Sequence, residues 1–339
     1  MIDVEHLSKR YGDHTAVDDV SFHCAPGTVT GFLGPNGAGK STTMRMICGL
    51  TPPSAGFATV GGVPYTRLPN PGRSVGVLLD AAAQHAGRSG RETLLLCARV
   101  LDVPAARVDE LLDTVGLSGS AGRRRVGDYS FGMRRRLGVA QALLGDPEVL
   151  ILDEPTSGLD PEGIHHIRVL LRDFADRGGT VLLSSHLLRE VEVIADRVVM
   201  IARGRIVADG ATGDLLGGPA RTVVRGLDAA ALRHALTVAG LDVAAPDTGP
   251  PGAQPTVAEA AFVVDAAPEA VGRAAAAAGV VLVELRPDDH DGLERMFLDL
   301  TGDAAVSDRP ATPPRTPHAA DAGRGSRTAR TAPTEEVPS

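Results

Sequence analysis

Gly34-Pro35-Asn36-Gly37-Ala38-Gly39-Lys40-Ser41 is the stretch on which the reading of this 339-residue chain turns. It fits the pattern G-x-x-x-x-G-K-[ST] and lies between an apolar run at 28–33 and a helical pattern at 40–50. That context is the one the pattern needs: glycines let the backbone curl until several N–H groups converge on phosphate oxygens, and the helix N-terminus adds partial positive charge. Lys40 is placed to bridge β- and γ-phosphates and Ser41 to ligate Mg²⁺. Gly34, Pro35, Asn36, Gly37, Ala38, Gly39, Lys40, Ser41 and Thr42 form the candidate nucleotide-binding set.

A second signal is Val149-Leu150-Ile151-Leu152-Asp153-Glu154, an apolar run ending in two carboxylates. A buried parallel strand carries such a pair out at its C-terminal edge, where ligands bind in open α/β sheets. Asp153 then belongs to the metal's surroundings, and Glu154 is the candidate general base for an attacking water.

Composition narrows the classes further. Formal net charge is −8 and aromatic residues make up 3% with no Trp, so the chain lacks both the basic excess and the stacking surfaces of nucleic-acid binders. Of 34 basic residues only Lys9 and Lys40 are lysine, which makes the loop lysine conspicuous. Three widely spaced cysteines, Cys24, Cys48 and Cys97, fit neither a disulfide framework nor a metal-ligand cluster. No uncharged apolar stretch approaches ~18 residues, so no membrane span or export signal is expected.

Hydrophobic periodicity predicts strands over 28–33, 149–152, 180–184 and 197–202. It predicts helices over 40–50, 107–115, 134–144, 163–176 and 187–195. Between about 84 and 146 the strand signal fades into a helical stretch. From 221 to 302 the predicted order is β-α-β-β-α-β, a ferredoxin-like split arrangement, followed by an amphipathic segment at 293–300. Residues 303–339, with six prolines and balanced charge, read as a disordered tail.

Several segments together resemble the nucleotide-binding subunit of ATP-binding cassette (ABC) transporters. They are the phosphate loop, Tyr129-Ser130-Phe131-Gly132-Met133, the Leu150–Pro155 run, Ser157-Gly158-Leu159-Asp160 and Ser184-Ser185-His186. The resemblance implies an α/β fold, a P-loop NTPase cassette with a mixed sheet core and a helical subdomain, over residues 1–216. A small α+β domain over 217–302 and the tail 303–339 follow. It also implies ATP and Mg²⁺ as cofactors and a head-to-tail dimer in which Ser130, Phe131, Gly132 and Met133 meet the nucleotide of the other copy. On the same grounds Asp160 lies in the loop crossing to that copy, His186 contacts γ-phosphate and the attacking water, and Tyr11 stacks on adenine.

Three positions depart from the family pattern. Phe131 and Met133 replace a glycine and a glutamine of the signature. Asp80, after the run 75–79, replaces a glutamine that touches Mg²⁺, leaving Ser41, Asp153 and Asp80 as the candidate metal set. These substitutions are similar to the drug-export branch of daunorubicin-resistance-type ATPases. The branch implies an ATP hydrolase at the cytoplasmic face of the membrane, powering efflux of a hydrophobic compound through a separate polytopic permease, with no nucleic-acid partner. Alternatives are an ATP-binding regulator with weak hydrolysis and a non-transport cassette protein. The arginine runs 123–125 and 134–136 read either as solvated helix faces or as a docking surface for the permease.

Overall fold

The computed structural model describes residues 1–80, 83–186, 188–216, 221–244 and 261–287. Its strands are β1 (Ile2–Tyr11), β2 (His14–Cys24), β3 (Val29–Leu33), β4 (Ala55–Val60), β5 (Val75–Leu78), β6 (Val149–Asp153) and β7 (Thr180–Ser185). They continue with β8 (Arg197–Ala202), β9 (Arg205–Ala211), β10 (Thr222–Gly226), β11 (Val243–Ala244), β12 (Phe262–Val264) and β13 (Leu282–Pro287). Every residue of β3, β6 and β7 is buried, as central strands covered on both faces must be. They form the middle of a six-stranded sheet of order β5-β6-β7-β3-β8-β9. All its pairings are parallel except the last, β8 with β9.

Side-chain alternation along these strands feeds two separate cores. Val149 and Ile151 join Phe32, Leu182 and Val199 on one face, packed with Met44 and Ile47 of helix Lys40–Ile47. Leu150 and Leu152 point the other way, into a cluster with Leu94, Leu137, Leu144, Ile167 and Leu171. Each fully buried aliphatic chain contributes about 1.5–3 kcal/mol, so the strand that ends in the two carboxylates is anchored from both sides.

The antiparallel sheet β2-β1-β4 covers the first core. It is absent from the predicted strands for a physical reason: His6 (φ 49°) and Asp19 (φ 56°) are left-handed, and the β1–β2 register shifts around them. Such bulges put the apolar alternation out of phase.

The stretch 84–146 carries helices Gly90–Leu101, Ala106–Thr114, Ser120–Arg123 and Phe131–Leu143, and no strand among its described residues. Ser89 and Glu92 form a reciprocal capping box on the first of these. The last begins at Phe131 rather than at 134, because the Ser130 hydroxyl accepts the Met133 N–H (3.2 Å) and starts the helix earlier.

Elements after 221 follow the order β-α-β-β-α-β, with helices Ala229–Val238 and Pro268–Ala277. Their strands form a sheet of order β11-β12-β10-β13, antiparallel at every pairing. It has its own core of Val224, Leu232, Leu236, Phe262, Val264 and Val271. The amphipathic segment 293–300 and the tail 303–339 lie outside the described residues.

Candidate functional site

The phosphate loop leaves the C-terminal end of β3 and enters helix Lys40–Ile47. Its path depends on glycine at two points. A Cβ on Gly34 would lie 2.2 Å from the Ile201 carbonyl oxygen, and Gly39 (φ 111°) would put one 2.6 Å from that of Ala16. No L side chain fits either place. The loop is fixed further by Gly204 N–H donating to Ala38 O (2.9 Å), and the first helical turn carries no acidic residue.

Beside the loop lies a cavity of about 370 Å³. It is lined by Tyr11, His14 and Ala16, by Pro35, Asn36, Gly37, Gly39, Lys40, Ser41 and Thr42, and by Asp153 and Glu154. The volume suits a small-molecule ligand. Gly34 and Ala38 belong to the loop but do not line the cavity. Lys40 is buried, and its ammonium donates to the carbonyl oxygens of Gly34 (2.6 Å) and Pro35 (3.2 Å). Burial pulls its pKa below the usual lysine value, and the Glu154 and Asp153 carboxylates oppose that shift.

At the end of β6 two hydroxyls grip the Asp153 carboxylate. Ser41 Oγ donates to Oδ2 (2.6 Å), and Ser184 Oγ, from β7, donates to Oδ1. Ser184 also accepts the Glu154 N–H (3.0 Å) and so stands behind a residue held in the left-handed region at φ 53°. Glu154 turns its carboxylate to His186, whose Nδ1–H donates at 2.8 Å. A second bond joins the loop after β6 to helix Leu188–Glu192, Thr156 Oγ1 donating to Glu190 Oε2 at 2.6 Å. Ser184, Thr156 and Glu190 had no assigned role in the sequence reading; the sequence signal for Ser184 was its place next to Ser185-His186.

Ser41 and Asp153 offer hard oxygen donors at the mouth of the phosphate loop. No group of three or more His, Cys, Asp or Glu side chains able to hold a metal occurs among the described residues. That donor set fits Mg²⁺, which takes one or two protein oxygens and completes its shell with phosphates and water. Asp80 lies two residues beyond β5, which neighbours β6 with Leu78 opposite Leu152, and it does not line the cavity.

The signature residues lie away from the cavity, at the start of helix Phe131–Leu143. Ser130 caps it, Phe131 is exposed, Gly132 is buried and Met133 half-buried. The Phe131 ring packs against the loop before Asp160: a Cβ on Gly158 would sit 2.3 Å from its Cδ1. Asp160 itself caps helix Pro161–Asp176 by accepting the Gly163 N–H (3.1 Å).

Arg135 links these parts within one chain. Its guanidinium stacks 5.1 Å from the Phe131 ring centroid, and Nη1 donates to the Asp153 carbonyl oxygen at 3.0 Å. Burial lowers its pKa, while Asp153, Glu154 and Asp80 act in the opposite direction. Arg134 is bonded to the carbonyls of Val126 and Gly127. The solvated-face reading of 134–136 therefore does not hold for these two arginines, although Arg123, Arg124 and Arg125 are exposed. The spacing of Phe131 and Arg135, one helical turn apart, was the available sequence signal.

Comparison with known proteins bears on the family and the fold. Residues 17–157 match the family described as ABC transporter. A Nod factor export ATP-binding protein I of Paraburkholderia xenovorans (strain LB400) is 42% identical over 220 residues, 63% of this chain and 72% of that protein. A bacitracin transport ATP-binding protein BcrA of Bacillus licheniformis is 39% identical over 212 residues, 62% of this chain and 69% of that protein. A solved ATP-binding subunit of an ABC transporter superposes with a TM-score of 0.59 at 29% identity, covering 63% of this chain and 91% of that one. A dimer of the cassette MJ0796 bound to ADP and Pi shares the fold, with a TM-score of 0.58 at 20% identity over 62% of this chain and 98% of that one. This chain belongs to the ABC transporter ATP-binding family and is an ATPase of the cassette type.

Proposed function

We propose that this chain is the motor subunit of an exporter. Two copies close on ATP at the cytoplasmic face of a membrane and drive a separate polytopic permease that expels a hydrophobic compound of drug or antibiotic type. The observation that carries the catalytic half of this reading is the network Ser41–Asp153–Ser184–Glu154–His186 beside a cavity bordered by Lys40. Lys40 neutralises the β- and γ-phosphates, and Ser41 and Asp153 hold Mg²⁺, which supplies charge stabilisation when bound. Glu154 takes the proton of the attacking water, and His186 holds that carboxylate in place while facing the γ-phosphate. Tyr11 stacks on the adenine. Ser130 and Gly132, with Phe131 and Met133, serve the nucleotide of the second copy, with Asp160 in the loop between copies.

Two relatives are named for export of a Nod factor and transport of bacitracin, which supports export as the direction of transport. No helix among the described residues is long and apolar enough to cross a membrane, in keeping with a permease on another chain. The direct test is purification of the chain from membranes followed by transport in vesicles rebuilt with the co-purifying protein. A polytopic partner and ATP-dependent efflux are expected. Failure of any polytopic protein to co-purify contradicts the export reading.

A further inference from the structure

Tyr11 ends β1 and forms one wall of the cavity, with its ring half exposed (52%). Lys9 lies two residues earlier in the strand. Its ammonium stands 5.0 Å from the Tyr11 ring centroid and donates to the Pro52 carbonyl oxygen at 2.6 Å. Pro52 belongs to the stretch that follows helix Lys40–Ile47, the helix that begins at the phosphate loop. One side chain therefore ties the Tyr11 ring to the segment that leaves the far end of that helix.

What matters at this position is the cation over the ring. An ammonium on one face of an aromatic ring is attracted by its quadrupole and occupies that face. The opposite face is then the one left to a ligand. A surface tyrosine without such a contact has to be ordered when a base lands on it, and that ordering weakens binding.

We propose that Lys9 is a positioning residue that holds the Tyr11 ring ready for the base of the nucleotide, without touching the nucleotide itself. The proposal rests on the reading of Tyr11 as the base-stacking residue.

The test uses the full chain and two probes, ATP and inorganic tripolyphosphate, which has the phosphates and no base. Affinities are measured by calorimetry for wild type, Lys9→Met, Lys9→Arg, Tyr11→Ala and the double variant Lys9→Met with Tyr11→Ala. Lys9→Met should weaken ATP by about two- to fivefold, the strength of one exposed cation–π contact, and leave tripolyphosphate unchanged. Lys9→Arg keeps a cation over the ring and should restore ATP affinity. In the Tyr11→Ala background Lys9→Met should add no further loss. Equal weakening of both probes, or the same loss with and without Tyr11, overturns the proposal. If Tyr11→Ala weakens ATP while Lys9→Met does not, Lys9 alone is misassigned; if Tyr11→Ala leaves ATP binding intact, the base-stacking reading falls and the proposal with it.

Discussion

Removing one oxygen atom, in Ser184→Ala, should damage stability and turnover together. Ser184 is fully buried, and its hydroxyl donates to the Asp153 carboxylate while accepting the Glu154 N–H at 3.0 Å. A hydrogen bond to a charged group contributes about 1.5–3 kcal/mol, and a buried donor left unpaired costs about 1–3 kcal/mol. The two effects overlap in one site, so the net loss should be about 3 kcal/mol. For a unit of this size each kcal/mol lowers the melting temperature by about 2–4 °C, which gives a drop of about 6–12 °C. The same bond supports the left-handed backbone at Glu154, so its loss lets the carboxylate drift from His186. A displacement of about 1 Å costs about a hundredfold in rate, and a fall in kcat of ten- to a hundredfold is expected. Thermal denaturation and steady-state ATPase assays on the same preparation test both halves. A melting point within 2 °C of wild type together with kcat within twofold would show that Ser184 supports neither Asp153 nor Glu154.

Further outcomes follow from other parts of the molecule. Arg135→Ala removes the bond to the Asp153 carbonyl and should lower stability by about 1–2 kcal/mol, with a reduced kcat; chemical denaturation and ATPase assays check it. Burial pushes the Cys24 and Cys48 thiols from 9.0 up to about 12, whereas Cys97 is half-buried. A maleimide at neutral pH should therefore label one thiol in the folded chain and three after unfolding, as read by mass spectrometry. The folded state keeps protons that the unfolded chain releases above pH 9.0, so stability is full below that pH and is lost as pH rises toward 12. The slope is about 1.4 kcal/mol per pH unit for each thiol, measurable by denaturation at pH 8 and pH 10. Ending the chain at Leu216 removes the region with its own core around Val224, Phe262 and Val264. If that region stabilises or gates the dimer, ATP-dependent dimerisation should weaken in light-scattering measurements, and unchanged dimerisation would exclude the role.

The four middle strands of the central sheet were legible because β6 is apolar up to its carboxylate and β3, β7 and β8 are built mainly of apolar and small residues, as burial on both faces demands. The phosphate loop was legible because its chemistry needs fixed spacings along one short segment. What escaped is what depends on partners distant in sequence. The bulges at His6 and Asp19 hid the antiparallel sheet, since a single left-handed residue reverses the alternation that marks a strand. Ser184 and Asp153 are 31 residues apart, and only the parallel β6–β7 register, with Asp153 opposite Ser184, brings them together. The contact of Arg135 with the Asp153 carbonyl was not legible because nothing in the segment 134–136 shows that this carbonyl lies within its reach.

This chain is expected to turn over ATP with Glu154 as the base and to do so as a pair of copies. Glu154→Gln keeps the side chain's size and its ability to meet His186 while removing its basicity. Its hydrolysis rate and its mass in the presence of ATP and Mg²⁺ can be measured on one sample. Turnover at least about a hundredfold below wild type is expected, in line with loss of a general base, together with ATP-bound dimers of about twice 35.0 kDa. Turnover at the wild-type rate would rule out Glu154 as the base.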